Sequence, residues 1–131
     1  IPSNLLQIPN SESGGGYLSA CKMLGLKGHP ARFPAKLPEF FIKMLTEPGD
    51  LVVDIFGGSN TTGAVAESLG RRWMSFELDP DYVAASVLRF VDGKDPSAVA
   101  LAYSSVMAGN SVDLERDLAK MSLSIEVLNH A

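Results

Sequence analysis

Two short apolar runs with acidic ends lie in the middle of this sequence and restrict the folds that it can adopt. The first run, residues 51–56, contains Asp54 and breaks into a glycine-rich turn, after which a helix-forming stretch begins at once. The second run, residues 72–78, contains Glu77. Strand, glycine turn, helix and strand in this order are typical of a βαβ unit, whose parallel strands present a crevice at their carboxyl ends. We therefore predict an α/β fold with a crevice beside the glycine turn.

The spacing of the glycines narrows the class of ligand. A phosphate-binding Walker loop requires lysine after its last glycine, whereas Ala64 follows Gly63 here. The Gly-x-Gly-x-x-Gly pattern of dinucleotide sites is also missing from this turn. S-adenosylmethionine has no phosphate and fits these residues better, and a tight turn without a ligand is the alternative. Glu77 favours a ligand, because a carboxylate at a strand end can accept both hydroxyls of a ribose.

Three segments, taken in order, resemble the motifs of amino-group DNA methyltransferases. They are residues 29–41, which begin with His-Pro, residues 54–63, and residues 75–77. A His-Pro motif directly before Asp-x-Phe-x-Gly-Ser-x-Thr-Thr is the order of the beta class of this family. Within that class the chain is similar to the C-terminal, cofactor-binding part of the PvuII-type cytosine-N4 enzymes, over about residues 1–92. Asn60 stands where most relatives have glycine, a feature that the PvuII type shares.

This resemblance implies that the cofactor is S-adenosylmethionine, with S-adenosylhomocysteine as the product. It implies that Gly57 and Gly58 let the backbone approach the cofactor, and Asp54 is expected to orient the loop amides from the strand end. The fold expected is part of a Rossmann-like methyltransferase. The predicted cofactor-binding residues are His29, Pro30, Ala31, Arg32, Phe33, Asp54, Phe56, Gly57, Gly58, Ser59, Asn60, Thr61, Thr62, Glu77 and Leu78.

Each motif is expected to meet a different part of the cofactor. Glu77 is the predicted partner of the ribose hydroxyls, Leu78 is expected to pack on the adenine, and Phe56 is either a pocket residue or ordinary core. The polar residues 59–62 are expected to bind the carboxylate or amino group of the methionine, and capping of the next helix is a compatible alternative. The resemblance implies that residues 29–33 lie along that same end.

The catalytic loop of the family has no counterpart here. Amine methylation requires a Ser/Asp/Asn-Pro-Pro-Tyr/Phe loop that binds the target amine and stacks on the flipped base. The chain has no Pro-Pro dipeptide, and residues 79–82 (DPDY) are better explained as a helix start. We therefore predict no catalytic residue in this chain. The expected partners are a methyltransferase subunit or fragment that carries this loop and the target-recognition region, and double-stranded DNA bound through the complex.

Other functions remain open at this point. One is a non-catalytic assembly subunit that binds S-adenosylmethionine, and another is part of an adenine-N6 methyltransferase. A methyltransferase for RNA or a small molecule is a third, although the order of the motifs argues against it. Each has the same predicted cofactor site, so the partner chain distinguishes them.

Charge and composition exclude several roles. The formal net charge of −4 argues against this chain wrapping DNA by itself, because duplex affinity comes mostly from cations on phosphates. A single cysteine, Cys21, excludes an internal disulfide and a cysteine-rich metal site, so we predict no metal and a small buried residue at this position. No signal peptide or apolar run of membrane length is present, which predicts a cytoplasmic protein that does not bind membranes.

The predicted elements are too few for a complete sheet. Two parallel strands do not form a stable domain, because such strands are buried on both faces, so the rest of the sheet is expected from a partner chain or a missing N-terminal part. Residues 1–92 are predicted to be the cofactor-binding part, with residues 93–131 as helices that pack on it, and residues 1–9 are expected to be extended. Helices are predicted at residues 17–26, 38–45, 61–69, 80–91, 97–107 and 113–128.

Overall fold

The computed structural model describes residues 5–9, 15–91, 93–114 and 116–117. The predicted helix at residues 113–128 falls largely outside this part of the chain, and residues 5–9 form no strand. None of the helices in these ranges has the length and apolar character needed to cross a membrane. The elements, in order, are α1 (Gly15–Met23), α2 (Lys36–Leu45), β1 (Leu51–Asp54), α3 (Thr61–Ser68), β2 (Arg72–Ser75), α4 (Pro80–Ser86), a 3-10 turn (Val87–Arg89) and α5 (Pro96–Met107).

The two strands pair in parallel, with α3 as the crossover between them, and this confirms the predicted βαβ unit. Their register aligns Leu51 with Arg72 and Asp54 with Ser75. Both strands end earlier than predicted, because the chain turns after Asp54 and its carboxylate accepts a hydrogen bond from the amide of Phe56 (3.0 Å). One further backbone bond, from the amide of residue 76 to the carbonyl of residue 54 (2.9 Å), keeps the two strand ends together.

Short polar side chains cap the helices that flank β2. Asn60 is the N-cap of α3, and its side chain accepts a hydrogen bond from the amide of Gly63 (3.2 Å). Asp79 caps α4 in the same way through the amide of Asp81 (2.9 Å), and Pro80 occupies the first turn. α4 ends at Ser86 instead of residue 91, and the chain tightens there into the 3-10 turn, a common ending for an α-helix.

The apolar side chains form two separate cores. The larger core joins α1, the 3-10 turn and α5, and its buried members are Tyr17, Cys21, Val87, Leu88, Val91, Ala98, Val99 and Ala102. Cys21 is therefore a buried core residue, as predicted, and burial raises the pKa of its thiol. The smaller core joins α2, α3 and the sheet through Ile42, Val65 and Ala66, with Val52, Leu69 and Trp73 packed against them.

The residues that the structure describes cover only one face of the sheet. α3 packs on the face that carries Val52 and Trp73, while alternate residues point away from it. These alternate residues form what we call the open face, and their exposed fractions are about one half or more: Leu51 49%, Val53 52%, Ile55 64%, Met74 49% and Phe76 52%. Nothing in the part of the chain that the structure describes covers the open face, so its burial by a partner chain or a missing N-terminal part stays a prediction.

Candidate functional site

A tight loop at residues 55–60 leads from β1 into α3, and its backbone leaves no room for larger side chains. A Cβ atom built on Gly57 would lie 2.1 Å from Oγ of Ser75. Gly58 has a φ of +53°, and a Cβ atom there would lie 3.2 Å from the ring of His29. Asn60 also adopts the left-handed conformation, at φ +58°. Glycine therefore allows the chain to pass close to Ser75 and His29 at these positions, which serves a tight turn and a ligand site equally well.

The carboxylate of Glu77 lies across the carboxyl ends of both strands and organises the loop. One oxygen, Oε2, accepts a hydrogen bond from the amide of Gly58 (2.9 Å). The other, Oε1, accepts from the amides of Leu78 (2.8 Å) and Asp79 (3.0 Å). The hydrogen bond from the amide of Asp79 lowers the pKa of this carboxyl group most. The bonds from the amides of Gly58 and Leu78 lower it further, while partial desolvation raises it, and the net shift is downward. The group therefore remains ionised at neutral pH, and its contribution to stability is lost as the pH falls below its ordinary pKa of 4.5.

The structure brings His29 against the glycine loop, although the two lie in different motifs. Its ring contacts Gly58 and packs edge-on against the ring of Tyr82, with the centroids 4.3 Å apart. Its backbone amide donates to the hydroxyl of Tyr17 (3.1 Å), and its Nδ1 accepts from the amide of Ala31 (3.2 Å). The His-Pro motif and the glycine loop therefore lie side by side, and their sharing of one cofactor stays a prediction.

The polar loop residues are mostly buried. Ser59, Asn60 and Thr61 each expose only 4% of their surface. Asn60 serves as the helix cap, so the capping alternative is confirmed for this residue. Whether this polar stretch also meets a cofactor stays a prediction, and the same holds for Thr62, which is partly buried.

Arg89 and Tyr17 belong to this site, and the sequence analysis missed both. Arg89 donates from Nε to the carbonyl of Ser59 (2.9 Å) and from Nη2 to the hydroxyls of Ser59 (2.8 Å) and Thr61 (2.9 Å). Its guanidinium carbon lies 4.5 Å from the centre of the Tyr17 ring. No local signal marks these residues, since Arg89 lies inside the predicted helix at residues 80–91 as one more polar position and Tyr17 fits a helical core pattern.

The other predicted residues surround this centre at the surface. Phe56 and Leu78 are 82% and 98% exposed, so the alternative that Phe56 is ordinary core is wrong. Arg32 is half-buried and donates from Nη1 to the carbonyl of His29. The remaining predicted residues of the His-Pro motif are Pro30 and Ala31, which are exposed, and Phe33, which is half-buried.

A groove of about 770 Å³ is lined by residues of this site and by Trp73 and Ser75 of β2. Gly58, Asn60 and Glu77 line one end of it. Trp73 and Phe90, whose rings stack 5.1 Å apart, line the wall. Its volume lies in the range of roughly 300–1,000 Å³ that is usual for small-molecule sites. No group of three metal-binding side chains occurs within the described ranges.

A parallel βαβ unit with a glycine loop and an acidic strand end is typical of Rossmann-like proteins. Comparison with known proteins makes this more specific, since residues 2–88 match the family described as DNA methylase. The chain belongs to the DNA methylase family, and the resemblance in its motifs is thereby confirmed.

Individual relatives agree with this assignment. Type II methyltransferase M.PvuII of Proteus hauseri is 64% identical over 115 residues, which are 87% of this chain and 34% of the relative. M.BglI of Bacillus subtilis is 45% identical over 58 residues, or 44% of this chain and 17% of that protein. The solved structure of the cytosine-N4-specific PvuII DNA methyltransferase matches with a TM-score of 0.82 and 63% identity, over 87% of this chain and 41% of its own. The chain thus spans about a third of the length of M.PvuII.

Proposed function

We propose that this chain is the cofactor-binding part of a site-specific DNA methyltransferase that methylates an exocyclic amine, with N4 of cytosine as the favoured target. S-adenosylmethionine, when bound, supplies an electrophilic methyl group on its sulfonium. The family match and the identity to a cytosine-N4-specific enzyme support the reaction and the target. The observation that carries the cofactor proposal is the Glu77 carboxylate, which spans the two strand ends beside Gly58.

The geometry of Glu77 suits a ribose. A carboxylate offers about four lone-pair positions, and backbone amides fill three of them here. The fourth position remains for one ribose hydroxyl. The second ribose hydroxyl would donate to a carboxylate oxygen that also accepts from a backbone amide. The same amides hold the carboxylate ionised and fixed in direction, which is the preorganisation that a charged hydrogen bond to a ligand requires.

The surroundings of Glu77 divide into an apolar and a polar end. Phe56 and Leu78 are 82% and 98% exposed and offer apolar surface to an adenine ring. His29 lies beside Gly58, which is bonded to Glu77, and these residues suit the amino-acid end of the cofactor. Residues 1–92 would then be the cofactor-binding part, and residues 93–131 would support it.

The catalytic loop and most DNA contacts are proposed to come from a second polypeptide segment. The 131 residues contain no Pro-Pro dipeptide, and their net charge is −4. The open face gives that segment an apolar surface on which to pack. If the second segment covered the open face and completed the sheet, its catalytic loop would lie at the same strand ends as Glu77.

Replacing Glu77 with alanine is expected to weaken cofactor binding strongly. The change removes one or two hydrogen bonds to a charged group, each worth about 1.5–3 kcal/mol, and frees the amide of Gly58. Glu77→Gln should lose less, because one acceptor oxygen remains. Isothermal titration of S-adenosylhomocysteine into the protein assembled with its catalytic segment measures the effect.

Asp95→Ala is the matched control for this experiment. Asp95 is also a carboxylate that accepts two backbone amides at a helix start, those of Ser97 and Ala98, but it caps α5 outside the loop. Its loss should lower stability and leave cofactor affinity unchanged. Equal affinity in the Glu77→Ala and wild-type proteins would refute the proposed role.

Replacing Gly58 with alanine is expected to reduce cofactor affinity more than the backbone strain alone explains. The left-handed conformation costs a residue with a Cβ atom about 1–2 kcal/mol, and the new methyl group also presses on His29. Gly25→Ala is the control, because Gly25 has a φ of +68° and open space around it. Both variants should unfold at a lower temperature, Gly58→Ala more so because of its contact with His29, whereas titration should detect weaker binding only for Gly58→Ala. The same affinity in both would contradict a site at the loop.

A further inference from the structure

One arginine ties together the separate segments that surround the glycine loop. The three hydrogen bonds of Arg89 fix the carbonyl of Ser59 and the hydroxyls of Ser59 and Thr61. Its guanidinium also lies over the ring of Tyr17, whose hydroxyl accepts the amide of His29. The 3-10 turn, the loop, α1 and the His-Pro motif therefore meet at this single side chain.

The charge of Arg89 has no acidic counterpart in the described ranges. The ionisable groups that act on it are Tyr17, Arg32 and Cys21, and burial lowers the pKa of the guanidinium. No carboxylate within those ranges forms an ion pair with it. A partly buried cation beside a ligand loop, with no acid to neutralise it, favours an anionic group nearby.

The hydrogen-bond pattern also sets what the loop can offer a ligand. Both hydroxyl oxygens accept from Nη2 of Arg89, and the oxygens of Ser59 and Thr61 lie 3.3 Å apart. When one hydroxyl donates to the other, the second hydroxyl hydrogen is left to donate elsewhere. With both oxygens accepting from the arginine, one of the two hydroxyl hydrogens is left to donate to a ligand.

We propose that Arg89 is a positioning residue for the amino-acid end of the cofactor, holding residues 59–61 and His29 in place and adding positive charge where the methionine carboxylate lies. The proposal rests on the proposed function, because it assumes that the loop binds S-adenosylmethionine. Arg89 acts through the loop and not on the transferred methyl group. It therefore differs from Glu77, which is proposed to hold the ribose and so to act on every ligand that contains adenosine.

Two ligands that differ only at the amino-acid end separate these roles. S-adenosylhomocysteine has the carboxylate and amino group, whereas 5′-methylthioadenosine has neither. Arg89→Met, in the protein assembled with its catalytic segment, should raise the dissociation constant for S-adenosylhomocysteine at least about tenfold. Its affinity for 5′-methylthioadenosine should stay unchanged. Arg89→Lys should recover part of the loss, because it keeps the charge.

Arg71→Met is the matched control. Arg71 also makes three hydrogen bonds, to the hydroxyl and carbonyl of Thr46 and to the carbonyl of Leu69, but it lies at the opposite ends of the strands. Its loss should lower the melting temperature without changing the ratio of the two affinities. A merely structural role for Arg89 would give the same result as Arg71→Met, or an equal loss for both ligands, and would overturn the proposal.

Arg89→Gln decides the question if Arg89→Met does not fold. Glutamine keeps a hydrogen-bond donor for the loop hydroxyls and removes the positive charge. It should weaken S-adenosylhomocysteine selectively, and an unchanged ratio of affinities would contradict the positioning role. If the wild-type protein binds neither ligand, the proposed function itself is contradicted. If the wild-type protein binds both ligands and the variants show no selective loss, only the role of Arg89 is contradicted.

Discussion

The 131-residue polypeptide alone is expected to transfer no methyl group to DNA, and addition of a polypeptide that carries a Ser/Asp-Pro-Pro-Tyr/Phe loop is expected to restore transfer. The target amine needs an acceptor side chain and carbonyl, and the flipped base needs an aromatic surface, all of which that loop supplies. The chain contains no Pro-Pro dipeptide, and its one similar stretch, residues 79–82, starts α4. The expected difference is therefore between no activity and full activity.

Incorporation of a radiolabelled methyl group from S-adenosylmethionine into duplex DNA measures this directly. The assay needs three samples: the chain alone, the loop-carrying polypeptide alone, and the two together. A mixture made with the Glu77→Ala chain controls for activity of the second polypeptide by itself. Robust incorporation by the highly purified chain alone would contradict the prediction. A mixture that binds S-adenosylmethionine but transfers no methyl group would favour a non-catalytic assembly subunit.

Placing a charge on the open face is expected to abolish assembly with the catalytic segment. Val53 lies at the centre of this face beside Met74, with which it is in register. A sheet-completing interface should bury on the order of 2,000 Å² or more. An unpaired carboxylate inside it costs about 3–5 kcal/mol, which weakens association by roughly 100-fold or more.

Val53→Asp and Leu101→Asp form a matched pair for this test. Both residues are apolar and about half exposed, at 52% and 50%, but Leu101 lies on α5 and not on the sheet. Sedimentation velocity should show that only Val53→Asp loses the complex. The isolated wild-type chain should self-associate and melt broadly, because its apolar face meets water. A soluble monomer with a sharp cooperative melt would contradict the need for a partner and favour a self-sufficient module.

The central βαβ unit could be predicted from the sequence because its signals are local. The apolar runs, the loop glycines and the cap at Asn60 each act within a few residues, so β1, α3 and β2 are found where the pattern indicates. The motifs also predicted that His29 and the loop belong to one site. Their contact with a cofactor was implied by resemblance and stays a prediction.

The contacts that the sequence analysis missed join residues far apart in the chain. Arg89 bonds to Ser59 across 30 positions, and Tyr17 bonds to His29 across 12, and neither pair leaves a periodic trace. The strand ends were misplaced for a related reason. Apolar residues such as Ile55 continue the strand pattern, but the Asp54 side chain turns the backbone before it. Tertiary contacts and local side-chain hydrogen bonds determine the partners of Arg89 and Tyr17 and the ends of the strands, and the local sequence pattern does not reveal them.

Trp73 gives the sheet-side half of the molecule an optical signal of its own. It is the one tryptophan of the sequence, and its indole donates to Glu67 (2.8 Å) and stacks on Phe90. It packs against the small core, while the large helical core contains no tryptophan. Its fluorescence emission therefore follows the environment of the strand that ends beside Glu77, and circular dichroism follows mainly the helices. Transitions that fail to coincide in the two signals would reveal that the halves lose their structure separately.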